Sequence, residues 1–72
     1  MNLSITEKIK LILIKRKMSS TALAMAIGNT RQNLANKFKR DNFSIDDLKK
    51  IAIALNCTID TTFILNDTGE TI

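Results

Sequence analysis

Amide and cationic side chains share one face of a short segment in the middle of the chain. In a helix, which turns about 100° per residue, Gln32, Asn36 and Lys39 lie roughly opposite Leu34 and Phe38. This outward face holds no carboxylate. Gln and Asn can form paired hydrogen bonds to adenine, and Arg or Lys can bind guanine, so the face suits base edges in the DNA major groove. A solvated helix face that is basic by chance is the alternative interpretation.

A turn and an earlier helical pattern precede this segment, as a helix-turn-helix requires. The Ala-rich stretch before Gly28 places Leu23, Ala24 and Ile27 on one stripe of a helix. Gly28 can take a positive φ after a helix end without a Cβ clash, and Thr30 is a suitable N-cap for the next helix. The turn is therefore short and the two helices must cross. We expect the second helix to enter the major groove.

Charge is divided unevenly along the 72 residues, whose formal net charge is +4. Residues 1–40 hold nine Lys or Arg and one acid (+8), whereas residues 41–72 hold two Lys and six acids (−4). A basic half beside an acidic half can orient a molecule on a polyanion, and solubility alone does not require this segregation. Nucleic acid is therefore the favoured partner.

Composition argues against several other classes of function. The chain has no His, a single Cys and no Gly-rich phosphate loop, so catalysis, a cofactor, a zinc site and a small-molecule ligand have no support. The most apolar window, residues 9–14, is far shorter than the about 20 residues that cross a bilayer. We expect a cytoplasmic protein of one small domain that is not an enzyme and does not bind membranes.

Two further helices are predicted from their start signals. Ser4 and Glu7 can form a capping box for a helix that runs to about residue 17, and Ser44 can begin a helix that runs to about residue 55. Leu11 and Ile14 point away from the apolar stripe of the first of these helices. They are either covered by the C-terminal segment or form part of a dimer contact.

From residue 58 the apolar pattern changes to strict alternation, which predicts a β-strand or hairpin over residues 58–72 with its turn at Gly69. An isolated hairpin is marginal in water, so the strand is expected to pair with its own domain or with the same strand of a second copy. A homodimer joined in this way would hold two recognition helices about 34 Å apart, one turn of DNA. The expected dimer contacts are Ile59, Thr61, Phe63 and Leu65.

The chain resembles the Xre/Cro type of lambda-repressor-like DNA-binding domains over about residues 5–63. The residues that carry the resemblance are those of the turn motif. The resemblance implies a mostly α protein, with a four-helix helix-turn-helix DNA-binding domain in residues 1–57. Relatives of this size often continue into a fifth helix, whereas the alternating pattern of this chain predicts a C-terminal β-strand or hairpin in residues 58–72. The matching positions of core, turn and groove contact are Leu23-Ala24, Ile27-Gly28, Thr30-Arg31-Gln32 and Leu34.

The resemblance also suggests which residues approach DNA. Three positions depart from the usual pattern: Ser20 stands where many relatives have a phosphate-binding Gln, Asn29 where the turn residue is commonly apolar, and Lys37 where a core residue is commonly apolar. Base contacts are expected from Thr30, Arg31, Gln32, Asn36 and Lys39, with Ala35 among them. Phosphate contacts are expected from Ser19, Ser20, Thr21, Asn33, Lys37 and Arg40.

These features predict a sequence-specific double-stranded DNA-binding transcriptional regulator, similar to the small Cro-like repressors of phages and mobile elements. With no sensor domain evident, it would act by occupying its operator. The alternative is a protein-interaction module on the same fold, of the antitoxin or anti-repressor type, with Leu11, Ile14, Met25 and the predicted strand as contacts. Binding to random duplex that weakens steeply with salt would favour DNA.

Overall fold

Four helices follow one another in the computed structural model, which describes residues 3–72. They are α1 (Ile5–Arg16), α2 (Ser20–Ala26), α3 (Arg31–Arg40) and α4 (Ile45–Ala54). The expectation of a mostly α, four-helix protein is confirmed. None of the helices described for this part of the chain has the length and apolar content that a membrane crossing demands.

A hydroxyl side chain caps the start of every helix. Ser4, Ser19, Thr30 and Ser44 each have an extended backbone, and each side-chain oxygen accepts a hydrogen bond from the backbone N–H three residues later. These N–H groups have no partner within the helix, so each cap contributes about 1 kcal/mol. The caps fix where α2 and α3 begin, and thereby the length of the turn between them.

Leucines from three of the helical segments meet at the centre of the core. Leu23 of α2, Leu34 of α3 and Leu55 after α4 are fully buried. Because Leu34 points inward, the opposite side of α3 is left to solvent. The rest of the buried cluster is supplied mainly by α1 and α4. The complete buried cluster consists of Ile9, Leu13, Leu23, Ala24, Leu34, Ile51 and Leu55.

A polar tie joins the start of α1 to the end of α3. The backbone N–H of Thr6 donates to Asp41 Oδ1 at 2.8 Å, and the Thr6 hydroxyl lies 2.7 Å from the same oxygen and 3.2 Å from the Phe38 carbonyl oxygen. The hydrogen bonds from the Thr6 hydroxyl and backbone hold the pKa of Asp41 below its ordinary value. Asp41 also ends α3, with a φ of 50°. This tie fixes α3 against α1.

The C-terminal segment corrects one expectation, because residues 58–72 do not form the predicted β-strand. Within the described chain they contribute a single antiparallel bridge, between Ile64 and Thr71. The chain reverses at Gly69, whose φ is 76°, and every side chain from 58 to 72 is exposed. Two short segments with no third strand and no packed face form too few ladder bonds for a regular strand.

Candidate nucleic-acid interface

The outer face of α3 is polar, basic and open. Thr30, Arg31, Gln32, Asn36 and Lys39, all expected to contact bases, are exposed. α3 contains four Lys or Arg and no acid, and it contributes Leu34 to the core with Phe38 packed against it. The arrangement gives a continuous row of hydrogen-bond donors and amide oxygens along a helix that is free on one side.

The two amides on this face are ordered with respect to each other. Gln32 Nε2 donates to Asn36 Oδ1 at 3.3 Å across one turn of α3. A pair at this spacing restricts the rotamers of both exposed side chains. The contact leaves the Gln32 carbonyl oxygen and the Asn36 amide hydrogens available, so the pair presents an acceptor beside donors, as base edges require.

Asn29 organises the turn that leads into α3, a role that the sequence pattern did not indicate. Its Oδ1 accepts from the Thr30 backbone N–H at 2.9 Å and from Asn33 Nδ2 at 3.1 Å. Its own backbone N–H donates to the Ala24 carbonyl at 2.8 Å, and Gly28 before it has a φ of 71°. Asn33, which was expected to contact phosphate, is therefore tied to the turn by its amide.

Lys37 faces α4 rather than the outer side of α3. Its Nζ lies 2.8 Å from Asp47 Oδ2, and the two side chains are only 31% and 26% exposed. The hydrogen bond from Lys37 is the main reason why the pKa of Asp47 is lowered, with a further contribution from the Ser44 backbone N–H. Because Lys37 is three residues after Leu34, it lies at the border of the buried face. Its expected phosphate contact is not favoured by this geometry.

The other residues expected to contact phosphate lie at the two ends of the motif. Ser19 and Thr21 are exposed at the start of α2, Ser20 is half-buried between them, and Arg40 is exposed at the end of α3. The Ser19 oxygen accepts the capping bond from the Ala22 N–H, and its own hydrogen remains available for an acceptor.

The residues expected to form a dimer lie on the exposed C-terminal segment. Phe63 and Ile72 exchange two backbone hydrogen bonds, of 3.0 and 2.9 Å, so their side chains share one side of the bridge. They are 72% and 73% exposed. Leu65 lies two residues from Phe63 on the same side, whereas Ile59 borders an apolar groove of about 260 Å³ between α1 and α4. Thr61 is exposed.

No group of three His, Cys, Asp or Glu in residues 3–72 is placed to hold a metal ion. A family model described as Cro/C1-type HTH DNA-binding domain matches residues 8–68. No curated protein and no solved structure matches the chain. The family match runs from the second turn of α1, through the helix-turn-helix and α4, into the C-terminal segment.

Proposed function

Because this chain belongs to the Cro/C1-type helix-turn-helix DNA-binding domain family, we propose that it is a sequence-specific regulator of transcription that occupies operator DNA. The observation that carries this proposal is the exposed, acid-free face of α3. It lies opposite Leu34, which anchors the helix in the core, and it begins directly after the ordered turn. A face held in this way can enter the major groove without rearrangement of the fold.

Base selection is proposed for the amides and cations near the middle of this face. Gln32 and Asn36 can form paired hydrogen bonds to adenine, and Arg31 or Lys39 can bind guanine. The hydrogen bond between Gln32 and Asn36 supports treating the two amides as one recognition unit. Thr30 completes the base-contacting set at the start of the helix, where its hydroxyl also caps α3.

Phosphate contacts are proposed for the exposed residues that flank this unit. Arg40 lies at the end of α3, and Ser19 and Thr21 lie at the start of α2. Contacts at both ends of the motif would set its position on the duplex, whereas the bases between them would determine the sequence. Lys37 is left out of this set because Asp47 neutralises its charge and holds it toward α4.

Repression by occupancy is the simplest mode of action for this domain. The described helices all pack around one core and leave a polar face of α3 open. A small domain bound over a promoter competes with polymerase for the same DNA. The proposed regulator would therefore respond to its own concentration through the fraction of operator that is occupied.

A homodimer is proposed through the C-terminal segment, with Ile59, Thr61, Phe63 and Leu65 as contacts. The support is the exposed apolar face that Phe63 and Ile72 create, because surfaces of this kind on small proteins commonly mark contacts with other molecules. The outer edge of the segment at Ile64 also has backbone groups that the bridge to Thr71 does not use, so a strand from a second copy could pair there.

Exposed apolar side chains elsewhere favour a second candidate, a protein-interaction module on the same fold. Ile14 of α1 and Met25 of α2 are both exposed and lie outside the α3 face. Binding to random duplex separates the two functions. Affinity for the duplex that falls steeply between about 50 and 200 mM salt supports the regulator. Absence of binding to the duplex at low salt supports the interaction module.

Selection of bound duplexes from a random pool tests the regulator itself. A sequence-specific dimer should enrich a palindrome whose half-sites are about one helical turn apart. Enrichment of a single half-site would support sequence specificity and contradict the proposed dimer. A pool that shows no enrichment after repeated rounds would contradict the proposed function.

A further inference from the structure

An open groove lies between the C-terminal end of α2 and the outer side of α4. It encloses about 400 Å³, and its walls are mostly small or apolar. The residues that line it are Ala26, Ile27, Gly28, Lys50, Ile53 and Ala54. None of them belongs to α3, so this α2–α4 groove is separate from the face that is proposed to read bases.

The groove coincides with the most exposed apolar side chains. Among the large apolar residues that the structure describes, Ile53 at 81% and Met25 at 75% are the two most exposed. Ile53 lines the groove, and Met25 is the neighbour in α2 of the lining residue Ala26. Ile53 also lies two residues from the buried Ile51 and Leu55, which places it on the side of α4 opposite the core. Packing of the fold therefore gives no reason for an isoleucine at this position.

Two lysines of α4 give the groove a positive border. Lys49 and Lys50 precede Ile53 by four and three residues, so both lie about one helical turn from it on the same side of α4. The acidic second half of the chain has no other Lys or Arg. Asp46 lies one turn before Lys50 and does not line the groove. Neither lysine is ion-paired to a carboxylate in the part of the chain that the structure describes, so both charges remain available to a partner.

The distribution of charge favours a foreign occupant over a second copy of the chain. A second copy docked through the same groove would bring Lys50 of both chains together at a two-fold axis, where like charges oppose contact. The acidic C-terminal segment is proposed above to pair with its own copy. A groove between two helices, with small residues in its walls, suits the apolar face of a third helix. Carboxylates beside that face would pair with Lys49 and Lys50.

We propose that the α2–α4 groove docks an amphipathic helix of a second protein, with apolar side chains on one face and Asp or Glu beside them. Ile53 is the apolar centre of this contact, and Lys50 is its charged border. The proposal goes beyond DNA binding, because the groove shares no residue with the base and phosphate contacts proposed above. A partner that docks here can therefore remain attached while the domain occupies DNA.

A synthetic helix tests the groove on the unmodified protein in the absence of DNA. The probe is a fluorescent peptide of about 18 residues with Leu on one face and Glu beside it, and a matched peptide carries Lys in place of Glu. The Glu peptide should shift the backbone amide NMR signals of Gly28, Ile53 and Ala54. It should also bind about tenfold more tightly than the Lys peptide.

Two pairs of variants separate this groove from the other apolar and basic surfaces. Ile53→Gln should weaken binding of the Glu peptide about tenfold, because the apolar contact is lost. Ile14→Gln changes an isoleucine of α1 that is 73% exposed, and it should leave this affinity unchanged. Lys50→Glu should reverse the preference in favour of the Lys peptide, whereas Lys15→Glu should preserve the preference for the Glu peptide. Thermal unfolding checks each fold, and the reversal by Lys50→Glu provides the test if Ile53→Gln is unstable.

Equal affinity for the two peptides, or no loss with Ile53→Gln, would overturn this docking site while leaving the DNA-binding function intact. A peptide of residues 58–72 that binds the groove more tightly than the Glu peptide, and loses affinity with Lys50→Glu, would assign the groove to a second copy and overturn the foreign partner. A protein that binds the Glu peptide in the groove but binds no duplex would support the docking site and contradict the proposed regulator.

Discussion

The two cations Lys37 and Arg40 are three residues apart on α3, yet they lie in different surroundings. Lys37 Nζ is 2.8 Å from Asp47 Oδ2 and both side chains are about two-thirds or more covered, whereas Arg40 is exposed. Lys37→Gln should therefore lower the free energy of unfolding, and Arg40→Gln should lower the affinity for DNA. Both variants lose one positive charge, so together they compare a structural role with a binding role.

The expected size of the Lys37 effect follows from its partial burial. Ion pairs that remain in contact with solvent contribute up to about 1 kcal/mol. In a domain of this size, a loss of about 1 kcal/mol lowers Tm by about 4–8 °C. The slope of log affinity against log salt for random duplex should change little for Lys37→Gln and fall by about 0.9 for Arg40→Gln.

The Lys37 pair also predicts a dependence on pH. Because hydrogen bonds hold the pKa of Asp47 in the folded protein below its unfolded value of about 3.9, the pair stabilises the fold above that pH. This stabilisation is lost as the pH falls through the folded-state pKa. Thermal unfolding between neutral pH and about pH 3 should therefore show a smaller decrease for Lys37→Gln than for the unmodified protein.

An unchanged Tm for Lys37→Gln, together with a salt slope reduced as much as that of Arg40→Gln, would contradict the structural role of Lys37. That result would mean that the ammonium leaves Asp47 when DNA is present. Asp47→Asn serves as a control for the pair, because it should lower Tm without removing a cation from α3.

Three other perturbations address the core, the turn and the C-terminal segment. Leu34→Ala should cost about 2–5 kcal/mol in urea unfolding, because it empties a fully buried site beneath the recognition face; a loss below about 1 kcal/mol would place Leu34 outside the core. Asn29→Ala removes two hydrogen bonds of the turn and should cost about 1–2 kcal/mol in the same assay, and no loss would show that the turn does not depend on them. Phe63→Asp should shift sedimentation equilibrium toward the monomer, and an unmodified protein that is already monomeric at micromolar concentration would contradict the dimer.

The helices could be predicted from the sequence because their causes are local. Ser4 and Glu7 form the capping box that their spacing indicates, and Ser44 begins α4 as expected, with Asp47 completing a second capping box. The positive φ of Gly28 likewise follows from its position just after a helix end. Such sequence signals lie within a few residues of the helix ends and turns that they determine.

Contacts between distant residues could not be predicted in the same way. Thr6 and Asp41 are 35 positions apart, and nothing near either residue indicates the other. The pair of Lys37 with Asp47 links the side of α3 to the cap of α4, so the basic composition of α3 suggested a free surface charge where the fold has a partly buried ion pair. Such pairs depend on how the helices pack.

The C-terminal segment shows how an alternating pattern can mislead. Alternation of β-branched residues indicates that a segment can be extended, but a strand forms only when a neighbour supplies its hydrogen bonds. In this chain, the neighbour of Ile64 is the short return segment at Thr71, and one bridge results. The alternating pattern alone therefore did not predict how the segment pairs.

We propose that the amides of α3 determine which DNA sequence is bound. Parallel selections from one random duplex pool, with the unmodified protein and with Gln32→Ala, test it most directly. We expect that the variant still binds DNA and loses preference at one position in each half-site, a change of about 1–3 kcal/mol in discrimination. Identical enriched sequences from both proteins would contradict it.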